Sequence, residues 1–167
     1  YGIAVKTANT IQTDESFTSC IWTDNQTVVL QLKEMLNRFK VAIVKIGIIR
    51  DWELLNEILN IIKSLQPEVK VILDPIITSS SAFDFHNTNT FNATLFDEVI
   101  RKVYLITPNL KEVQQLYPNK NASETLTHIR TFTNVYLKGG HHLTKIGADQ
   151  LITTKGEQFN LAPKFKK

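Results

Sequence analysis

Small, polar or charged residues follow several short apolar runs of this sequence at the point where each run ends. These residues are Gly47 after 41–46, Asp74 after 70–73, Thr107 and Asn109 after 104–106, and Lys138 with Gly140 after 135–137. If the runs are parallel strands, their carboxyl ends meet at one edge of the sheet, where such sheets bind ligands. Asp74, Asn109 and Glu112 offer the oxygen atoms that Mg²⁺ prefers, and Lys138 offers a positive charge for a phosphate. The sequence therefore predicts a site for a phosphorylated ligand and a metal ion, which suits phosphoryl transfer.

Each of these residues also has an ordinary structural interpretation when it is taken alone. Asp74-Pro75 is a common turn sequence, Asn109 can cap the helix that follows it, and Lys138 can be a solvated surface charge. Gly139-Gly140 can form a simple turn, or it can let the backbone approach a ligand closely. The residues alone leave these alternatives open. The chain has no Walker A pattern, so a P-loop kinase is excluded.

The elements that must position these residues alternate between two patterns. Short β-branched runs predict strands, and longer runs with apolar residues at helical spacing predict amphipathic helices. The predicted strands are 2–5, 41–46, 70–73, 104–106, 135–137, 149–153 and 158–161, and the predicted helices are 26–38, 51–65, 94–101, 110–117 and 123–132. Residues 79–90 are polar and predict a long, functional loop. The alternation predicts a single α/β domain over residues 1–167 with a mainly parallel central sheet, in which strand 41–46 is buried on both faces.

Composition and charge narrow the functional classes. The chain has 167 residues, of which 43% are hydrophobic, and a net charge of only +3. Its Lys and Arg residues are spread along the chain, which argues against nucleic-acid binding, and no apolar run approaches the roughly 18 residues that cross a membrane. Cys20 is the only cysteine and no signal peptide is visible, so a cytoplasmic protein without disulfides is expected. His86 and His128 are expected on the surface.

Five motifs occur in order along the chain and resemble those of one known family. They are YGIAVKTANTIQ at 1–12, VKIGI at 44–48, LDPII at 73–77, ITPNLKE at 106–112 and LKGGH at 137–141. One motif alone is a weak signal, whereas the ordered set across nearly the whole chain is a strong one. On these motifs the sequence resembles the hydroxymethylpyrimidine and phosphomethylpyrimidine kinases of thiamine biosynthesis, which are ribokinase-like enzymes.

The resemblance implies a fold, a reaction and a set of site residues. The fold is expected to be a ribokinase-like three-layer α/β/α domain. The reaction is expected to be the ATP- and Mg²⁺-dependent phosphorylation of a small pyrimidine, hydroxymethylpyrimidine and then its monophosphate, by a homodimer. The residues that match the family's motifs are Gln12, Gly47 and Ile48 for the pyrimidine, Asp74 and Glu112 for Mg²⁺, and Thr107, Asn109, Lys138 and Gly140 for the nucleotide. Gln12 suits its role because an amide offers both a donor and an acceptor to an aminopyrimidine edge.

Departures from the family pattern bear on the activity of this chain. The family's first strand is expected before Tyr1, and its GTGC-type segment, whose Cys acts as the catalytic base, is expected after Lys167. No catalytic base is therefore expected within the chain, and Cys20 does not replace it. Ala82 stands where members often carry Gly. Two alternatives remain: the same scaffold serves pyridoxal and pyridoxine kinases, and the chain by itself could be a non-catalytic binding fragment.

Overall fold

Strands and helices alternate along the computed structural model of the chain, which describes residues 2–78, 84–86, 91–139 and 148–162. The strands are β1 (Ala8–Gln12), β2 (Phe17–Trp22), β3 (Ile43–Ile46), β4 (Lys70–Leu73), β5 (Leu105–Ile106), β6 (Asn134–Leu137), β7 (Asp149–Ile152) and β8 (Gln158–Leu161). The helices are α1 (Asn25–Arg38), α2 (Trp52–Leu65), α3 (Ala93–Arg101), α4 (Leu110–Gln115) and α5 (Ala122–Ile129). The elements predicted from residue 26 onward are confirmed, with ends shifted by a few residues. Across the described ranges, every helix is too short or too polar to pass through a lipid bilayer.

Strands β3 to β8 form one sheet in the order in which they occur along the chain. β3, β4, β5 and β6 pair in parallel, and β7 and β8 continue the sheet in antiparallel pairs. The predicted α/β fold with a mainly parallel sheet is confirmed. Since β3 to β6 run in the same direction, helical crossovers connect them and their carboxyl ends share one edge. β1 and β2 form a separate antiparallel hairpin.

A row of buried side chains crosses the sheet and anchors the strands to the helices. The row consists of Ile46, Leu73, Ile106, Val135 and Ile152, which are in register across neighbouring strands. All five belong to one hydrophobic core with side chains from α1, α2, α3 and α5. Burying an aliphatic side chain of this size stabilises a fold by about 1.5–3 kcal/mol. The row therefore holds β3 to β7 in register, and since Ile46, Leu73 and Ile106 are the last residues of β3, β4 and β5, it brings the residues that follow these three strands to the same level.

Helix α2 shows how local sequence sets the ends of an element. Asp51 caps the helix by accepting a hydrogen bond from the Leu54 N–H at 2.7 Å, and Pro67 lies just beyond the last turn. The apolar stripe predicted from the spacing is buried, and its members are Leu54, Leu55, Ile58, Leu59 and Ile62. Capping and burial thus specify the same segment, so the prediction of this helix is accurate.

Two predictions near the amino-terminal end are wrong. Residues 2–5 do not form a strand, because no strand among the described residues pairs with them; the chain is tied to the sheet instead by Thr7 Oγ1, which donates to the Ile48 carbonyl at 2.7 Å. Strand β3 is not buried on both faces. It pairs with β4 alone in the part of the chain that the structure describes, and its first residue, Ile43, is 57% exposed.

His86 is buried, contrary to the expectation that it lies on the surface. Its ring stacks on the Trp52 indole with the ring centroids 4.2 Å apart, and 8% of the residue is exposed. Burial lowers the pKa of His86 from 6.5 to about 4, against a smaller opposing effect of the Asp51 carboxylate. The charged imidazolium is therefore disfavoured in the folded protein. His128 is half-buried, with Nε2 2.9 Å from Asp97 Oδ1.

We expect the free energy of unfolding to fall, through His86, as the pH drops from 6.5 to about 4. In this window the unfolded chain binds a proton at His86 that the folded protein does not, so stability is greatest above the window and decreases in acid. A pKa difference of this size corresponds to about 3 kcal/mol. Urea unfolding of the full-length protein over this range measures the effect, with His86→Gln as the variant that cannot titrate. The same pH dependence in both proteins would contradict the prediction.

Candidate active site

Backbone hydrogen bonds hold the ends of β3, β4, β5 and β6 together just beyond the strands. They run from Asp74 N–H to the Ile46 carbonyl, from Thr107 N–H to the Leu73 carbonyl and from Lys138 N–H to the Pro108 carbonyl, each at 2.8 Å. Asn109 and Lys138 also form an isolated parallel bridge. The structure thus brings Asp74, Thr107, Asn109 and Lys138 together at the carboxyl edge of the sheet. Their roles in binding stay predictions.

Lys138 lies between two carboxylates at this edge. Its Nζ is 2.7 Å from Asp74 Oδ1 and 3.7 Å from Glu112 Oε2. Lys45 forms a longer ion pair with the other oxygen of Asp74, with Nζ 3.9 Å from Oδ2. Two ammonium groups and two carboxylates thus share a small space, and their formal charges cancel. We call Lys45, Asp74, Glu112 and Lys138 the charged cluster.

Glu112 is the most buried member of the charged cluster, with 6% of its side chain exposed. Its Oε2 accepts a hydrogen bond from the Asn109 N–H at 2.7 Å, and Asn109 Oδ1 accepts one from the Glu112 N–H at 2.9 Å. This reciprocal pair is a capping box at the start of α4. Burial raises the pKa of Glu112; the hydrogen bond from Asn109 and the charge of Lys138 oppose this, while Asp74 adds to it. Asn109 therefore caps helix α4, which is one of the two interpretations that the sequence allows. The same capping box holds the Glu112 carboxylate at the charged cluster.

Gly139 is required by the approach of the chain's own backbone. A Cβ atom at this position would lie 1.9 Å from the Ala148 carbonyl oxygen. This distance is too short for any residue with a side chain. The Gly139 N–H donates to Asp149 Oδ1 at 2.8 Å, and Asp149 Oδ2 accepts from the Tyr136 hydroxyl at 2.6 Å. The first glycine of the pair is thus needed for packing at the end of β6.

Gly140, predicted to bind the nucleotide, lies outside the described residues. The same holds for residues 79–83 and 87–90 of the predicted loop, including Ala82. Within the described part of that loop, Asp84 Oδ1 accepts a hydrogen bond from Thr78 Oγ1 at 3.0 Å. The predictions for Gly140 and Ala82 therefore stay predictions.

Gly47 and Ile48 follow β3 and lie on the opposite side of Asp74 from Lys138 in the strand order β3-β4-β5-β6. Both residues are half-buried. A Cβ atom at Gly47 would meet Ile76 Cδ1 at 3.7 Å, which is an ordinary contact. The edge of the sheet thus has one end at β3, with small and apolar residues, and another at β6, with Lys138.

Gln12 stands apart from the strand-end residues. It is the exposed last residue of β1, where the pairing with β2 shifts register. The hairpin packs through Trp22 against Phe85, with their ring centroids 6.2 Å apart. Between described residues, no hydrogen bond joins the Gln12 side chain to the charged cluster. Its contact with a pyrimidine stays a prediction.

The carboxylates of the charged cluster fit a divalent cation that completes its shell with water and phosphate oxygens. Asp74 and Glu112 already converge on a cation, the Lys138 ammonium. Within the described ranges, no three His, Cys, Asp or Glu side chains form a metal site by themselves. Mg²⁺ is usually bound through one or two carboxylates together with substrate phosphates. Two carboxylates beside a lysine therefore agree with the predicted roles of Asp74 and Glu112.

A comparison with models of protein families identifies the family to which the chain belongs. The family model described as phosphomethylpyrimidine kinase matches residues 1–166. The chain belongs to the phosphomethylpyrimidine kinase family. The hydroxymethylpyrimidine/phosphomethylpyrimidine kinase of Escherichia coli (strain K12) is 27% identical over 173 residues, which cover 99% of this chain and 64% of that relative. The chain thus spans less than two thirds of the length of this relative.

Solved structures similar to this member of the phosphomethylpyrimidine kinase family share its fold. The phosphomethylpyrimidine kinase from Clostridium difficile 630 has a TM-score of 0.71 at 23% identity, over 96% of this chain and 71% of that one. The pyridoxal kinase from Staphylococcus aureus in complex with AMP-PCP has a TM-score of 0.76 at 18% identity, over 100% of this chain and 63% of that one. These similarities confirm the ribokinase-like fold and show no more than the fold.

Sequence reasoning did not single out two residues at the site of this phosphomethylpyrimidine kinase family member. Lys45 lies within the VKIGI motif, where a lysine in an apolar strand is a signal that could have drawn attention to it. Asp149 begins β7 and accepts hydrogen bonds from Tyr136 of β6 and from Gly139 just after it. Nothing near Asp149 in the sequence indicates this role, because it depends on the antiparallel pairing of β6 with β7.

Cys20 lies on β2 and pairs with Thr10 of β1. Burial raises the pKa of its thiol, so the thiolate is disfavoured. This agrees with the expectation that Cys20 does not serve as a catalytic base.

Proposed function

We propose that the protein containing this chain transfers the γ-phosphate of ATP to hydroxymethylpyrimidine and then to hydroxymethylpyrimidine monophosphate. The observation that carries the proposal is the Lys138 ammonium, held by the carboxylates of Asp74 and Glu112 at the carboxyl edge of the sheet. Membership of the phosphomethylpyrimidine kinase family supports it, as does the name of the Escherichia coli relative. A lysine beside two carboxylates suits the transfer of a phosphoryl group, which requires mainly positioning and neutralisation of charge.

The proposed contribution of this chain is binding and neutralisation of charge. The acceptor oxygen, which is the hydroxyl oxygen in the first transfer and a phosphate oxygen of the monophosphate in the second, forms a bond to the γ-phosphorus. The bond from that phosphorus to the bridging oxygen breaks, and ADP leaves with the electron pair. The Lys138 ammonium neutralises charge on the phosphate oxygens, while Asp74 and Glu112 hold Mg²⁺. When bound, Mg²⁺ supplies positive charge where the transferred group develops negative charge. To none of the described residues do we assign the base that takes up the hydroxyl proton.

The strand order supports a division of the edge into an acceptor end and a nucleotide end. In the proposal, Gly47 and Ile48 at the end of β3 contact the pyrimidine, and Thr107 and Lys138 at the ends of β5 and β6 contact the nucleotide. Asp74, at the end of β4, lies between them. In the proposal, the metal-binding carboxylate therefore lies between the nucleotide that donates the phosphoryl group and the acceptor.

Phosphoryl-transfer assays on the full-length protein test the proposal. ATP and Mg²⁺ are supplied with hydroxymethylpyrimidine, its monophosphate or pyridoxal as the acceptor, and ADP release is followed together with the mass of the product. We expect turnover with both pyrimidines, weaker turnover with pyridoxal, and loss of turnover when a chelator removes Mg²⁺. A preference for pyridoxal would replace the proposed substrate. Binding of the pyrimidine without ATP consumption would indicate a non-catalytic binding protein instead.

A further inference from the structure

Lys45 is the one member of the charged cluster to which the proposed reaction assigns no role. We infer that Lys45 binds the phosphate group of the phosphorylated acceptor and thereby determines whether the second transfer takes place. The inference rests on the proposed function, because it concerns the second of the two acceptors. It rests on the position of Lys45, on its availability and on the balance of charge at the site.

Lys45 lies at the acceptor end of the sheet edge. It is on β3, two residues before Gly47, whereas Lys138 follows β6 and is separated from β3 by two strands. Both lysines form ion pairs with Asp74: Lys45 with the Oδ2 atom of the carboxylate and Lys138 with the Oδ1 atom. Asp74 therefore has a lysine on each side. The one beside the acceptor end is placed to meet a phosphate that enters with the acceptor.

Lys45 is also available to a ligand, in contrast to Lys138. The side chain of Lys45 is 67% exposed, and that of Lys138 is 35% exposed. The distance of 3.9 Å from Lys45 Nζ to Asp74 is too long for a hydrogen bond, whereas Lys138 makes one at 2.7 Å. An exposed ion pair of this kind contributes little to stability. Lys45 can therefore leave Asp74 at small cost when a phosphate offers it a stronger partner.

The charge balance of the cluster calls for a further cation in the second transfer only. The two lysines and two carboxylates cancel one another, and Lys138 is assigned to the nucleotide. Hydroxymethylpyrimidine is an alcohol without a phosphate, whereas its monophosphate brings about −1.5 to −2 charges at neutral pH. A lysine ammonium is suited to bind such a group. Lys45 thus matters for the phosphorylated acceptor far more than for the alcohol.

A plainer role for Lys45 is to hold Asp74 in place or to raise the positive charge near it. Either effect acts on the transferred group, so it would change the rate with both acceptors by the same factor. The ratio of kcat/KM for the monophosphate to kcat/KM for hydroxymethylpyrimidine cancels that common factor. This ratio therefore separates direct binding of the acceptor phosphate from an indirect effect through Asp74.

The test uses Lys45→Met in the full-length protein, with Lys45→Arg to restore the charge. Lys70→Met is the matched control, because Lys70 lies on the same face of the same sheet, opposite Ile43, at the amino ends of the strands. We expect Lys45→Met to lower the ratio at least about tenfold, chiefly through the KM for the monophosphate. Lys45→Arg should restore most of the ratio, and Lys70→Met should leave it unchanged. Circular dichroism and thermal unfolding verify that the variants are folded.

The other outcomes contradict either the role inferred for Lys45 or the proposed function on which it rests. If Lys45→Met lowers kcat/KM equally for both acceptors, or for neither, Lys45 does not bind the acceptor phosphate and the proposed function stands. If the unmodified protein phosphorylates hydroxymethylpyrimidine but not the monophosphate, the inference fails together with the second transfer of the proposed function, and the first transfer stands. If the unmodified protein phosphorylates neither acceptor, the proposed function fails and the inference falls with it.

Discussion

Asp74→Asn is expected to lower kcat by about 10²–10³-fold, the loss that follows removal of one group that stabilises the charge of a transition state. Asn keeps the size of the side chain but loses the negative charge that attracts a divalent cation and both neighbouring lysines. The Mg²⁺ concentration needed for half-maximal rate should rise at the same time. Steady-state kinetics of the full-length protein at a series of Mg²⁺ concentrations measure both effects.

Glu68→Gln is the matched control for this substitution. Glu68 is an exposed carboxylate just before β4, so the two variants neutralise one acid at each end of the same strand. We expect the control to keep the activity and the Mg²⁺ dependence of the unmodified protein. An Asp74→Asn protein that is folded and keeps its kcat would rule out the assignment of Asp74 to the metal.

Lys138→Met is expected to lower kcat/KM for ATP by about 10²–10³-fold, because it removes the positive charge assigned to the phosphates. It should also change the pH dependence. Burial raises the pKa of Glu112 and Lys138 lowers it, so loss of Lys138 raises that pKa further. The carboxylate form that binds a metal is lost as the pH falls, and the acidic limb of the pH–rate profile should therefore move to higher pH.

Lys155→Met is the control for Lys138→Met, since Lys155 is exposed in the turn between β7 and β8. It should change neither kcat/KM nor the pH profile. Unchanged KM for ATP and unchanged kcat in Lys138→Met would contradict a role in phosphate binding. A lower rate without movement of the acidic limb would support phosphate binding by Lys138. It would show, however, that Glu112 is not the group whose titration determines the acidic limb.

The gathering of residues at the carboxyl edge could be predicted because it depends only on parallel strands, which alternating strands and helices indicate. The capping box of Asn109 and Glu112 is likewise written in their spacing of three residues. The contact between Lys45 and Asp74 could not be predicted from spacing. It requires the knowledge that β3 and β4 are neighbours with Ile46 opposite Leu73, and a lysine in a strand is otherwise an ordinary exposed residue.

The β1–β2 hairpin escaped prediction for a different reason. Its turn has none of the Gly or Asn-Gly signals that usually mark a hairpin. The turn is closed instead by Thr13 and Ser16, with the Ser16 N–H donating to Thr13 Oγ1 at 3.0 Å and the Thr13 N–H donating to the Ser16 carbonyl at 2.8 Å. Such local side-chain bonds become visible only once the chain has folded. The position of Gln12 therefore depends on a turn that could not be predicted from the sequence.

The row of buried side chains from Ile46 to Ile152 also bears on how this site can change in evolution. Each of the strands β3 to β7 contributes one core residue to the row, whereas Ile48 lies outside the row and is only half-buried. Ile48 can therefore be exchanged for another side chain without disturbing the strand that supports Lys138. Under the proposed roles of Ile48 and Lys138, we expect acceptor preference to change at one end of the sheet edge while the end that binds phosphate is conserved, so that one scaffold serves kinases of different small molecules.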